Sequence, residues 1–322
     1  MERHSGEAAI TLTRSLAALD ATSRASALSS GMRPSTAEPR PDKYLIITAD
    51  DFGLHEAVNE AIEVAAARGV LTAASLMVAA PAAADAVRRA QHLPNLHIGL
   101  HLVLADGQPM LDRTQIPQLL DPTGRMGTRM GRDGLRYFLS PSARRQLEAE
   151  IRAQFSAFAR TGLRLDHVNA HKHFHLHPTI LSLLLRVARD FGNPPVRATV
   201  EPLWFSFQHG GASGMSAVIL RPWAWLMRRK LRQAGVPHND SIFGIAASGA
   251  MDEQSILTVL RRLPHGTTEI YLHPATLSGS AVAPSMPGYR HRDEWSALLS
   301  ASVREAIAAS GAQQGGFRGL PG

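Results

Sequence analysis

Cysteine is absent from all 322 residues, which excludes disulfides, thiolate metal sites, iron–sulfur clusters and cysteine nucleophiles. Any metal must be held by His, Asp or Glu. No run reaches the roughly 20 apolar residues that span a bilayer, so a soluble or surface-associated chain is expected. No G-x-G-x-x-G follows the first apolar strand, which removes the usual sign of a dinucleotide fold. Lys and Arg are scattered rather than massed in a stripe, so no nucleic-acid partner is expected. Aromatic residues make up 6% of the chain, and none falls in residues 1–40, where Ala, Ser, Thr and Arg crowd. That segment has too little apolar surface to offset chain entropy and reads as a disordered extension.

The remainder has the composition of a folded domain: 44% of the chain is hydrophobic and 19% charged, with a net charge of +7 that residues 1–40 hardly alter. One domain over 41–311 is expected, with an insertion at 201–240 and a flexible tail at 312–322. Apolar runs and amphipathic stretches alternate along it. The pattern predicts strands within 43–53 and over 71–78, 96–104, 163–170, 195–200, 241–246 and 267–272. Helices are predicted over 55–68, 81–92, 143–160, 178–191, 252–263 and 293–309. A polar connection runs from 105 to 140. Seven strands alternating with helices argue a distorted or incomplete parallel β/α barrel, with an open doubly wound sheet as the alternative.

The first strand organises the rest. Its apolar run stops at Asp50-Asp51-Phe52-Gly53, and strand C-termini are where such folds place chemistry. Side chains alternate along an extended segment, so the two acids need not share a role, and one could hold a metal while the other handles a proton. The residues themselves leave open which does which. His101 ends the third strand after Gly99, a glycine that lets something approach closely. The fourth strand runs into a tract where five of the 15 histidines fall within residues 166–178. If that tract is extended, His171, His173, His175 and His177 line one face about 7 Å apart, too far for all to grip one ion. One or two ligands are expected, the others serving as hydrogen-bond partners, substrate contacts or packing residues. His273 ends the last strand. An Asp with two His and an open position is a recognised hydrolytic metal set.

Thr48-Ala49-Asp50-Asp51-Phe52-Gly53, Gly99-Leu100-His101-Leu102, His171-Lys172-His173-Phe174-His175 and Leu272-His273-Pro274, in this order, resemble the YdjC-type carbohydrate deacetylases, distant relatives of the polysaccharide deacetylases. The likeness spans residues 43–310. Within the family, 169–178, Pro222-Trp223-Ala224-Trp225 and 269–275 are most similar to the hopanoid biosynthesis-associated branch. One departure stands out: the family usually has Asp-Ser before the first histidine, where this chain has Asn169-Ala170.

The resemblance implies a deacetylase-like barrel in which Asp51, His101 and His171 hold a divalent ion, Zn²⁺ or Mg²⁺. Asp50 is implied as general base, His273 as general acid and Arg197 as the residue that orients the base. The implied reaction is N-deacetylation of an acetylated amino sugar, an N-acetylglucosaminyl hopanoid on the closer resemblance. Deacetylation of chitooligosaccharide or another N-acetylated sugar, and metal-dependent phosphoester hydrolysis, are the alternatives. Tryptophans beside a basic cluster at 215–232 suit peripheral membrane contact, or else a helix whose tryptophans fill the core under a lid. A cytoplasmic enzyme at the inner membrane face, able to form a homodimer, completes the expectation.

Overall fold

The computed structural model describes residues 42–209 and 214–320, so the expectation for 1–40 lies outside the described residues. Strand β1, Lys43–Phe52, is buried at every position after the first. It lies mid-sheet, pairing in parallel with β2, Ala73–Leu76, on one side and β6, Gly266–Leu272, on the other. Beyond β2 come β3, His97–Leu102, and β4, Val168–Ala170, and beyond β6 comes β5, Ser241–Phe243. Each of these pairings is parallel, so each needs a crossover. Helices supply them: α1 Glu56–Arg68, α2 Ala83–Ala90, α3 Met130–Leu139, α4 Pro141–Arg160, α5 Pro178–Ala188, α6 Leu203–His209, α7 Gly214–Gln233 and α8 Glu253–Leu260. The sheet curls into a half-barrel, the distorted β/α architecture expected from the pattern.

Its two edges, β4 and β5, are joined by an irregular segment. Predicted as a strand, 195–200 keeps only a single parallel bridge, Val196 to Val168. Val200 O accepts from Ile242 N on the other side, and Asn239 replaces ladder bonds by holding Ala198 N and O with its side-chain amide. The gap is thus closed by backbone bonds at either end and the Asn239 amide between them, and Arg197 lies within this segment.

Other differences are local. The connection 105–140 contains α3, whose Leu135, Phe138 and Leu139 are exposed and give no clear apolar stripe toward the core. The last predicted helix is two, α9 His291–Leu299 and α10 Ala301–Ser310, because Ser300 leaves helical geometry and caps Val303 N with its hydroxyl. The 312–322 segment, expected to be a flexible tail, is docked as far as residue 320. Gln313–Gln314 form strand β7 against β1, Tyr44 Oη donates to Gly316 O, and Phe317 is fully buried. Burying one such ring contributes about 1.5–3 kcal/mol, enough to hold a short glycine-rich strap.

Candidate metal centre and active site

Asp50 and Asp51 part company at a kink. The β1–β2 register shifts between Ala49 and Phe52, and Asp51 has φ 64°, a left-handed conformation that costs a non-glycine residue roughly 1–3 kcal/mol. That turn aims Asp51 at two imidazoles. Its Oδ1 lies 3.0 Å from His171 Nδ1 and 3.3 Å from His101 Nε2, and the two ring nitrogens are 3.4 Å apart. All three residues are buried. Neither Asp51 oxygen receives a hydrogen bond of good geometry. A buried carboxylate without donors is costly unless a cation sits beside it, so this donor set of one carboxylate and two imidazoles fits a divalent ion. Among the described residues no other group of His, Asp and Glu is so arranged.

Asp50 faces a different partner. Arg197 Nη1 and Nη2 reach its two oxygens at 2.5 and 3.0 Å. The same guanidinium holds Glu269 through Nε at 3.0 Å to both oxygens and Nη2 at 2.6 Å. Burial by itself would raise the Asp50 pKa, but the Arg197 charge, with His101 beside it, outweighs burial and holds the carboxyl well below its usual range. Arg197 also stacks over the Tyr271 ring, 4.9 Å from its centroid.

The histidine tract is not extended. Residues 171–176 form a 3₁₀ turn in which Lys172 and His173 both have positive φ, 54° and 53°, so the period-two face does not form. The turn sends the histidines to different partners. His171 joins Asp51 and His101, His173 Nε2 meets Tyr271 Oη at 2.9 Å, and His175 Nε2 donates to Arg197 O at 3.0 Å. Burial drives the pKa of His173 well below normal and that of His175 to about 3. A single histidine of the tract reaches Asp51 and His101, and a tight turn rather than spacing along a strand is the reason.

His273 is held by its backbone. Its N–H donates to Glu294 Oε2 and its carbonyl accepts from His291 Nδ1, each at 2.5 Å. Burial lowers its pKa to about 4 despite nearby Asp51 and Asp50, and raises that of Glu294 to about 7.

Asp50, His101, His171 and His273 line a cavity of about 100 Å³ that Tyr271, Tyr289 and Ser248 help enclose. Lys172, His173 and Ile245 are shared with a second cavity of about 560 Å³, whose walls include Phe174, Leu176, Leu220, Trp223 and Trp225. Helix α7 buries Ala224, Met227 and Leu231 and leaves Trp223 47% and Trp225 64% exposed. The tryptophans therefore do not fill the core.

The profile of the YdjC-like protein family matches residues 44–309. The chain belongs to the YdjC-like family. A relative from Brevibacillus brevis named carbohydrate deacetylase is 30% identical over 264 residues, covering 82% of this chain and 94% of its own. Another of that name from Thermoanaerobacter pseudethanolicus is 26% identical, over 74% of this chain and 84% of its own. A crystal structure from Enterococcus faecalis V583, named for cellobiose-phosphate cleavage, superposes with TM-score 0.68 at 26% identity, covering 86% of this chain and 98% of that one.

In this member of the YdjC-like family the six residues singled out from sequence converge: Asp51, His101 and His171 in one cluster, Asp50 with Arg197 beside it, and His273 across the smaller cavity. Sequence reasoning missed Glu269, whose signal is a lone acid inside an otherwise buried strand. It also left Asn169 without a role. Asn169 Oδ1 accepts from His101 Nδ1 at 2.7 Å, and Nδ2 donates to Asp50 Oδ1 at 3.2 Å. The Asn169 amide thus lies between Asp50 and His101, one of the three residues that could hold a metal.

Proposed function

We propose that this chain is a metal-dependent N-deacetylase of an acetylated amino sugar linked to a large apolar group, an N-acetylglucosaminyl hopanoid being the substrate of choice. The observation that carries the proposal is the aromatic and aliphatic cavity opening beside the buried Asp–His–His cluster. A polar sugar amide suits the smaller space and an apolar body the larger. The family and its carbohydrate deacetylase relatives support the reaction class.

A divalent ion held by Asp51, His101 and His171 would supply Lewis-acid polarisation of the amide carbonyl and acidification of water. Asp50 is the group to accept the water's proton; Arg197 and Asn169 hold both its oxygens in place. His273, neutral near pH 7, stands across the cavity to relay a proton to the departing amine. Phosphoester hydrolysis is disfavoured, because Arg197 is committed to two carboxylates and Lys172 pairs with Asp106 at 2.6 Å.

No helix among the described residues is long and apolar enough to cross a membrane. Contact with a bilayer is proposed through 215–232, where exposed Ile219, Trp223 and Trp225 accompany Arg221, Arg229 and Arg232. Incubating purified protein and Zn²⁺ or Mg²⁺ with the acetylated glucosaminyl lipid, and separately with a chitooligosaccharide, tests the assignment by mass spectrometry. Loss of an acetyl mass from the lipid is expected. Loss from the chitooligosaccharide alone would reject the lipid substrate, and loss from neither would reject both.

A further inference from the structure

A line of buried polar side chains runs from the docked C-terminal strap to the metal cluster. Asp166, just before β4, accepts the backbone N–H of Phe317 at 2.9 Å and of Arg318 at 3.0 Å, and its Oδ2 faces His167 Nδ1 at 2.9 Å. His167 Nε2 meets Ser75 Oγ at 3.0 Å, and Ser75 Oγ accepts from Asn169 Nδ2 at 2.9 Å. Ser75, His167 and Asn169 have no exposure at all, and Asp166 is 2% exposed.

The direction of every bond follows from its neighbours. A carboxylate accepts only, so His167 must carry its proton on Nδ1 and offer a lone pair at Nε2. Ser75 must then give its hydroxyl proton to His167, leaving a lone pair for Asn169. The Asn169 NH₂ therefore points to Ser75 and Asp50, and its oxygen points to His101 Nδ1. His101 therefore carries a proton on Nδ1, which leaves Nε2, facing Asp51 and His171, as the nitrogen that a cation would take. Two glycines make room for the line. A Cβ on Gly99, which lies opposite Ser75 in the β2–β3 register, would come within 2.4 Å of the His167 ring. A Cβ on Gly316 would lie 2.7 Å from Asp166 Oδ1. Phe317 stacks on His167 at 4.5 Å between centroids.

We propose that the C-terminal strap closes a one-directional hydrogen-bond line, Asp166–His167–Ser75–Asn169, that sets the tautomer of His101 and the placement of Asp50. These four are positioning residues, and the strap acts on the site through them. The inference rests on the Asp–His–His cluster and not on which substrate is cleaved. Histidine partners beyond the ligands commonly set ligand orientation in this way.

The test uses the full chain with Ser75→Ala and Asp166→Asn, read by NMR hydrogen exchange of the His101 Nδ1–H in the zinc-loaded protein and by zinc affinity. In the unaltered protein this proton, held by Asn169 Oδ1, should exchange slowly with solvent. In both variants it should exchange much faster, with zinc affinity lower by about 10–100-fold and a retained cooperative melt. Ser75→Thr, which keeps the hydroxyl, should restore both signals. Equally slow exchange of the His101 Nδ1–H and zinc affinity within about twofold in Ser75→Ala would overturn the proposal, since Asp50 alone would then orient Asn169. If Asp166→Asn unfolds, the serine pair decides. Neither readout requires a substrate, so failure here is distinct from failure of the deacetylase assignment.

Discussion

Arg197 holds Asp50 through two guanidinium nitrogens at 2.5 and 3.0 Å, and both residues are buried. Because Glu269 grips the same cation, removing it would leave two buried carboxylates facing each other. Arg197→Met should therefore cost roughly 3–5 kcal/mol, the range for breaking a buried ion pair. Arg197→Lys should recover only part of this, since an ammonium lacks the planar fork that serves both acids. Denaturant unfolding measures it; a loss under about 1 kcal/mol for the Met variant would show that the acids neutralise each other by protonation.

The two aspartates should separate cleanly. Asp51→Asn, His101→Ala and His171→Ala should each lose bound metal and turnover. Asp50→Asn should keep metal and lose turnover, because it alters a proton acceptor without touching the cluster. Metal analysis of the purified variants decides, and full stoichiometric metal in His171→Ala sinks the ligand assignment.

His273→Ala should slow release of a basic amine far more than release of an activated leaving group, the pattern of a missing proton donor. Kinetics with a pair of acetylated substrates differing only in leaving-group basicity provide the check. Equal slowing of both would make His273 a substrate-positioning residue.

Glu294 predicts a pH signature. Burial raises its pKa from 4.5 to about 7 in the folded state, so between those values the native protein binds more protons than the unfolded chain and loses stability as pH rises. Summed over that window the loss is on the order of 3 kcal/mol, at about 1.4 kcal/mol per pH unit. Glu294→Gln should gain on the unaltered protein in Tm from about pH 4.5 to 7 and hold a constant difference above. A Tm difference independent of pH would mean that the bonds from Met251 N and His273 N keep this carboxyl ionised.

Trp223→Ala with Trp225→Ala should weaken binding to anionic vesicles and slow turnover of the lipid substrate. A short soluble acetylated sugar, if cleaved, should react at nearly the original rate. Vesicle sedimentation and paired kinetics read the two effects. Unchanged sedimentation would reject the membrane contact, and equal slowing on both substrates would make α7 a wall of the sugar site.

The β/α alternation, the central strand and the convergence of Asp50, Asp51, His101, His171 and His273 were all legible in the chain, because apolar periodicity and strand-end placement are local properties. Arg197 and the metal-cluster assignment came from resemblance, and the packing gives each a physical setting. What tertiary structure alone decided depends on contacts between residues far apart in sequence or on backbone geometry that neighbours impose. The left-handed φ of Asp51, Lys172 and His173 is invisible to periodicity, since any pattern of side chains is compatible with a kink. Glu269 and Asn169 take their meaning from Arg197 and His101 across the half-barrel. The strap at 313–320 looked like a tail because its glycines dominate its composition, yet a single buried Phe317 and two backbone N–H groups on Asp166 dock it. Composition measures how much apolar surface a segment carries; only the fold shows whether a matching surface and a buried carboxylate await it.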